Sequence, residues 1–523
     1  MKLPLLIVLL IHYSSAANIL GLMNVASPSH SIWNNVLVKG LAERGHNVTV
    51  IITDLPRNPK DILKNVSYFS VEDVYAGVYE EVDLKELFDI NPLKMGIEFC
   101  SYCASNCKAT MNSNGFVKFM KTYDRKFKFD IILYDFTCGP CLLGLLEYFN
   151  YPPLVGISAF PFPSFGNSFA GGHDHPGYIT YHSALIDPVN SISDRLYNNF
   201  LYFFEAIYKW YVFYPNLDQI VREKYFPKDM KLVRDLEKYV TLSLVNSHPS
   251  ITPAESLPPN VIEIGGLQLT DPEPLPKDIE TFISSAKKGA IFFSLGTNVR
   301  PQDYSDENIE IFLTIMKKFP EYNFLWKFDA DKIKNEIPKN LLIKKFFPQR
   351  DILAHPNTKV FISHCGGLST QESIWYGVPI LGLALFGDQI RNIRDAVQKE
   401  IALQIDYRSL SVKNLENNLK EILENTKYSN NIKLMSKRFR DRPLKPLDNT
   451  IWWIEYVLRN PNPEHLKPKS LKMNFITANS LDFFTLILIV LQVILVIFLA
   501  VIWACLCKKT NTSANTQKKK KLN

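Results

Sequence analysis

Three turns in the second half of the chain gather the residue types that hold phosphate and sugar hydroxyls. An apolar run over residues 360–363 ends at His364; Cys365, Gly366 and Gly367 follow, then Leu368, Ser369, Thr370, Gln371 and Glu372. Two glycines permit close backbone approach, and Ser369 or Thr370 is placed to cap a helix. The unpaired N–H groups at that helix's start favour an anion, with His364 as a further donor. A second run, residues 379–385, passes into Phe386-Gly387-Asp388-Gln389, and a third, residues 290–295, ends in Gly296-Thr297. Turns converging at the C-terminal ends of parallel strands are where an α/β fold binds a nucleotide. In the first half, His30 stands at a strand-to-helix turn. Imidazole changes charge near neutral pH and suits proton transfer, but a lone histidine is more often structural.

The elements that must position these residues follow from periodicity. Residues 19–25 read as a strand, 32–44 as a helix stopped by Gly45, and 48–52 as a second strand, a βαβ opening with a right-handed crossover. Residues 130–134 (DIILY) are another buried strand, ending at Asp135. Beyond a proline-rich stretch, residues 247–278, the alternation restarts with strands at 290–295, 324–328, 360–363 and 379–385. The pattern predicts an α/β protein of two Rossmann-like doubly wound domains joined by a linker, and 523 residues suit two domains. Aromatic residues concentrate between 160 and 225, as in YNNFLYFFEAIYKWYVFY. That segment reads equally as ordinary core or membrane-facing helix, and as an apolar pocket or membrane-associated surface. His173 and His175, two apart, fall short of a metal site. No HExxH, P-loop, strict GxGxxG or GxSxG occurs, which disfavours metalloprotease, P-loop NTPase and nucleophile-elbow hydrolase readings.

The two ends set the compartment. Lys2, the apolar run 3–11 and Ser15-Ala16-Ala17 read as a cleaved secretory signal. Residues 483–507 contain only Thr485 and Gln492 as polar side chains and are long enough to cross a bilayer. Lysines follow at once, so the positive-inside rule places them in the cytosol and nearly the whole chain in the lumen. Of the net charge of +7, Lys508, Lys509, Lys518 to Lys521 and Lys2 carry all of it, so the part between has no basic excess and a nucleic-acid-binding domain is disfavoured. Lys520-Lys521-Leu522-Asn523 is similar to the dilysine signal that returns membrane proteins to the endoplasmic reticulum. Asn47 and Asn65 head lumenal glycosylation sequons. Cys505 and Cys507 close the span as acylation candidates. Cys100, Cys103, Cys107, Cys138 and Cys141 have CxxC spacings that suit zinc, but an oxidising lumen favours disulfides, of open connectivity.

His364-Cys365-Gly366 with Glu372, then Gly377-Val378-Pro379 and Asp388-Gln389, resembles the signature of the UDP-glycosyltransferases, the detoxifying family of UDP-glucuronosyl- and UDP-glucosyltransferases. Residues 347–353 (FPQRDIL) and 442–448 (RPLKPLD) are similar too; Val245-Asn246-Ser247-His248 and the 368–372 variant are most similar to arthropod members. The resemblance covers essentially the full length. It implies a GT-B fold, with the donor sugar bound mainly by the second half and the acceptor by the first. His364 would contact the diphosphate, with Ser294, Gly296, Thr297, Gly366 and Ser369 around it. Glu372 would bind the ribose hydroxyls with Gln349 nearby, Phe346 would stack on uracil where many members have tryptophan, and Asp388 and Gln389 would hold the sugar hydroxyls. His30 matches the family's catalytic base and Asp135 the aspartate that orients it. Leu368 stands where many relatives have asparagine, and Ala384 where proline is usual. Asp329-Ala330-Asp331 spells a metal-binding DxD, but the resemblance argues for a solvated loop with no metal and no cofactor, the UDP-sugar being a co-substrate.

The resulting division is a signal peptide (1–17), an N-terminal acceptor-binding domain (18–246), a proline-rich linker (247–285) and a C-terminal UDP-sugar-binding domain (286–445). C-terminal helices and a juxtamembrane segment (446–482), a transmembrane helix (483–507) and a basic cytosolic tail (508–523) follow. The expected partners are a UDP-sugar, a small lipophilic hydroxyl-bearing acceptor and the lipid bilayer, with homo-oligomerisation left open. The expected reaction is inverting, metal-independent hexosyl transfer, with glucose preferred and glucuronate second. The alternatives are a catalytically inactive lipophile- or glycan-binding membrane protein and a transferase for lipid or protein glycans.

Overall fold

A computed structural model describes residues 16–79, 91–184, 186, 187, 189–297, 304–461 and 463–520. The expected leader up to residue 15 and the last three residues of the dilysine-like tail lie outside them. Two parallel sheets organise the part that ends at Lys467. The first runs β3-β2-β1-β4-β5-β6-β7, from β1 (Asn18–Met23), β2 (Asn47–Ile52), β3 (Val66–Ser70), β4 (Ile131–Asp135), β5 (Leu154–Ser158), β6 (Val240–Val245) and β7 (Val261–Glu263). The second runs β10-β9-β8-β11-β12-β13, from β8 (Gly289–Ser294), β9 (Tyr322–Lys327), β10 (Leu341–Lys344), β11 (Thr358–Ser363), β12 (Ile380–Gly382) and β13 (Ala402–Gln404). Every residue of β4, β5, β6 and β8 is buried, because helices cover both faces; this is why these strands read as unbroken apolar runs rather than alternating ones.

In each sheet the strand order reverses at one point, between β1 and β4 and between β8 and β11. A crevice opens at such a reversal, because the connections on its two sides leave in opposite directions. His30 and Asp135 sit at the first reversal, Gly296 and His364 at the second.

The proline-rich segment is not a free linker. Its residues Val261–Glu263 form β7 against β6, and its helix Lys277–Ser284 buries Ile279 and Ile283 under the second sheet with Ala290 and Phe292. A three-residue edge strand carries no period to read, and edge positions tolerate neighbouring prolines. The helix Pro446–Arg459 crosses back to the first half: Ile451, Ile454 and Val457 join the core under helix Pro28–Glu43, and a Cβ on Gly40 would lie 2.8 Å from Leu447 Cδ1. Arg442, from the family-like motif, pins the halves by donating to the Gly265 carbonyl at 2.6 Å while its guanidinium lies over Phe439.

Of the five clustered cysteines, Cys107 and Cys141 form a disulfide; Cys100, Cys103 and Cys138 are buried thiols, so the wider disulfide set expected in this cluster is one bond. The aromatic segment forms helix Ile192–Tyr208 and a following π-helical turn; Ile192, Leu196, Phe203 and Tyr211 present an apolar outer surface, while Phe165, Phe213 and Tyr214 line a small cavity with Phe99 and Cys100. In the separate unit from Pro468, helix Leu481–Lys520 contains an exposed, predominantly apolar stretch of 26 residues, Leu481–Leu506, long enough to cross a membrane.

Candidate active site

Helix Pro28–Glu43 starts directly after β1, with a proline in its first turn where no N–H partner is needed, and this brings His30 to the end of neighbouring β4. His30 Nδ1 lies 3.3 Å from Asp135 Oδ2, both side chains being buried. Asn34, one helical turn on, donates to the same oxygen at 3.2 Å, and the Thr137 N–H donates to Oδ1 at 3.1 Å. Burial pushes the Asp135 carboxyl up, but the bonds from His30 and Thr137 outweigh it and hold it below its ordinary value. The His30 ring meets Phe160 edge-on at 4.9 Å, which fixes its tilt. Asp135 therefore holds one ring nitrogen and leaves the other to take a proton.

The donor side is built from the ends of β8, β9, β11 and β12. Cys365 follows β11 with φ +64°, a left-handed conformation costly for a side chain with a Cβ, and Ser363 Oγ accepts its N–H at 3.0 Å. The kink turns His364 between two glycines: a Cβ on Gly296 or on Gly366 would lie 2.5 Å from His364 Nε2. The ring is packed between these turns, so burial, aided by Lys327, lowers its pKa to about 4. Its buried Nδ1 has no hydrogen-bond partner among the described residues, an orphan polar atom of the kind that ligands satisfy.

The cap expected from Ser369 or Thr370 does not form. Gly366 occupies the N-cap of helix Gly367–Tyr376, and Asp388 Oδ2, from the next helix, accepts the Gly367 N–H at 3.0 Å. Asn392 steadies the same Asp388 oxygen at 2.8 Å and donates to the Cys365 carbonyl at 2.9 Å. Burial raises the Asp388 carboxyl despite those bonds, and the positive form of His30, acting from the first half, opposes the rise. Gln389 spends its side-chain oxygen on its own loop, accepting from Leu385 N at 2.9 Å and Phe386 N at 3.3 Å, and so shapes the turn before Asp388.

Glu372 and Gln349 meet. Gln349 Nε2 donates to Glu372 Oε2 at 2.7 Å and to Ser369 Oγ at 3.0 Å. Burial pushes the Glu372 carboxyl up to about 7, with the Gln349 bond working against it. Ser294 Oγ, at the end of β8, accepts the Gly296 N–H at 3.3 Å, with Thr297 next in the turn. Phe346 is 58% exposed.

Sequence reasoning missed Asn34, Asn392 and Lys327. Asn34 and Asn392 sit one turn after His30 and Asp388, a spacing that puts them on the same helix face. Lys327 ends β9 beside β8, and its Nζ donates to the Gly296 carbonyl at 2.7 Å. Burial and then Arg57 lower its pKa to about 8, and among the described residues it has no carboxylate partner. In the sequence Gly296 is 31 residues away, so nothing local marks Lys327 as its neighbour.

Asp329 and Asp331 lie 3.1 and 3.6 Å from Lys345 Nζ in an exposed loop. Asn65 donates its amide to the Ala42 and His46 carbonyls at 2.7 and 2.8 Å, whereas Asn47 is exposed at the start of β2.

Two doubly wound sheets, with a buried His-Asp pair at the strand-order reversal of one and a glycine-lined turn at the reversal of the other, have the architecture of the GT-B fold. Solved structures agree. The calicheamicin glycosyltransferase CalG4 covers 86% of this chain and 100% of its own at TM-score 0.56 and 14% identity; the glycosyltransferase of kitacinnamycin gives TM-score 0.55 at 15% identity, covering 84% of this chain and 99% of its own. The profile of the family described as "UDP-glucoronosyl and UDP-glucosyl transferase" matches residues 22–520, and the chain belongs to that family. It is 30% identical to UDP-glucosyltransferase 2 of Dactylopius coccus, over 91% of this chain and 90% of that protein. It is also 30% identical to UDP-glucuronosyltransferase 2B17 of Rattus norvegicus, over 86% and 87%.

Proposed function

We propose that this UDP-glycosyltransferase moves a hexosyl group, glucose before glucuronate, onto hydroxyls of small lipophilic acceptors, with inversion and without a metal. The observation that carries the mechanism is the buried His30–Asp135 pair at 3.3 Å on the wall facing the donor turns. The acceptor O–H gives its proton to the free nitrogen of His30, and Asp135 stabilises the imidazolium. The acceptor oxygen forms its bond to the anomeric carbon as the bond to the β-phosphate oxygen breaks, and UDP leaves with that electron pair. The N-terminus of helix Gly367–Tyr376, the His364 edge and Lys327 face the charge that develops on the diphosphate. Asp388 lies on the same side for the sugar hydroxyls. The pairing of Asp329 and Asp331 with Lys345 favours the metal-free reading. The apolar helix and the basic residues after it favour a single-pass type I anchor in the endoplasmic reticulum membrane with a lumenal catalytic part.

The test is UDP release by membranes carrying the protein, offered UDP-glucose and UDP-glucuronate separately with a panel of phenols and flavonoids, against a His30→Ala background. Release with one donor and a glycosylated product names the sugar. UDP binding with no release above background on either donor contradicts transfer to this acceptor class. Turnover that EDTA abolishes and Mn²⁺ restores overturns the metal-free mechanism.

A further inference from the structure

The loop after β2 brings into the cleft a cation that lies outside the family-like motifs. Arg57 stands between Pro56 and Pro59, which stiffen its backbone. The loop is tied down on both sides: Asn35 donates to the Asp54 carbonyl at 3.0 Å, Ser31 Oγ accepts the Asp54 N–H at 3.3 Å, and Asn58 accepts the Lys60 N–H at 3.1 Å. The acids nearest in sequence are already engaged, Asp54 by Thr53 at 3.1 Å and by Tyr75, Asp61 by Lys39 at 2.7 Å. Among the described residues no carboxylate pairs with Arg57, and its guanidinium lies over the Phe346 ring at 5.4 Å.

That contact joins the two halves of the enzyme at the ring expected to carry the donor's base. A planar base between a ring and a guanidinium needs two contact spacings, about 7 Å in all. The observed 5.4 Å falls short of this by less than the reach of an exposed arginine side chain on a fixed loop. The same guanidinium is felt at Lys327, the ammonium beside the Gly296 turn, so it stands on the nucleotide side of the cleft.

We propose that Arg57 is the acceptor half's grip on the donor: uracil enters between the Phe346 ring and the Arg57 guanidinium, which closes over it. This rests on the reading of the second half as the UDP site. The empty pair is then a placeholder for the base, and cleft closure is linked to the presence of a pyrimidine rather than to the phosphates alone.

Full-length Arg57→Ala and wild-type protein in detergent micelles are titrated with UDP by calorimetry, and with pyrophosphate as a competitor of UDP. The substitution is at an exposed side chain, and unchanged melting temperature in the absence of ligand verifies the fold. UDP affinity is expected to fall about 3- to 30-fold, the range of one cation–π or stacking contact, with pyrophosphate affinity unchanged within about twofold. Equal UDP affinity in the two proteins overturns the inference. A parallel fall for UDP and pyrophosphate also overturns it, because Arg57 would then read charge and not the base. A wild-type protein that binds no UDP removes the donor-site reading and this inference together.

Discussion

At the residue scale, the chemistry is divided among side chains whose protonation is set by their surroundings. Asp135 is held ionised by His30 and Thr137 against the cost of its burial, so the pair is primed to accept one proton. His30→Ala is expected to slow transfer by about 10²- to 10⁴-fold with UDP affinity unchanged, measured by product formation and by calorimetry in parallel. Glu372 is pushed up to about 7 by burial, and on the proposed donor-site reading ribose hydroxyls donating to it would favour the ionised form. Binding UDP then releases a proton below that pH, and affinity rises as pH climbs through about 7. Lys327 is lowered to about 8, and a diphosphate favours its charged form, so affinity falls again as pH rises beyond about 8. A bell-shaped profile of UDP affinity is expected. Glu372→Gln should flatten the acid limb and Lys327→Met the alkaline one; a wild-type profile flat from pH 6 to 9 would remove both groups from the donor site.

At the element scale, the donor site depends on how closely two turns approach one ring. Gly366 has an ordinary φ of −59°, so alanine is allowed there by the backbone and excluded only by His364. Gly366→Ala is expected to lower stability by about 1–3 kcal/mol, the cost of forcing a side chain aside, and to weaken UDP binding. Adding His364→Ala should restore the melting temperature but not the binding, which separates packing from recognition. The glycines, the histidine and the strands leading to them were legible in the sequence, because buried parallel strands make apolar runs and the turns after them collect small and polar residues. The helix cap was misjudged, because Asp388 supplies that bond from twenty-one residues away. β7 was hidden by its length and by Pro258 and Pro259 just before it. Arg57 and Lys327 were illegible as site residues for one reason: their meaning lies in what faces them, Phe346 from the other half and Gly296 from the neighbouring strand.

At the scale of the whole molecule, the order of domains along the chain is not the order of cores in space. Helix Pro446–Arg459 lies beyond the second half in sequence, yet Ile451, Ile454 and Val457 are buried with Trp33, Leu37 and Leu41 of the first. Exposed charge pairing adds little to this docking: Arg44 to Asp448, at 3.2 Å, is about half exposed at both ends. His46 is different, being buried 3.5 Å from Glu455 and tied through Nδ1 to the Ala17 N–H at the start of β1. Removing the three aliphatic side chains forfeits about 1.5–3 kcal/mol each, a sum comparable to the whole stability of a typical domain. A chain ending at Lys445 keeps every site residue named above, yet it is expected to lose the first half's fold and with it the His30–Asp135 pair. A chain ending at Lys467 should stay folded, because that residue closes the compact unit. Protease digestion and melting followed by circular dichroism decide the matter. Equal resistance of the two truncations would show that the crossing helix is a passenger; selective loss in the shorter one would show that the first half is completed by a helix that follows the second half in sequence.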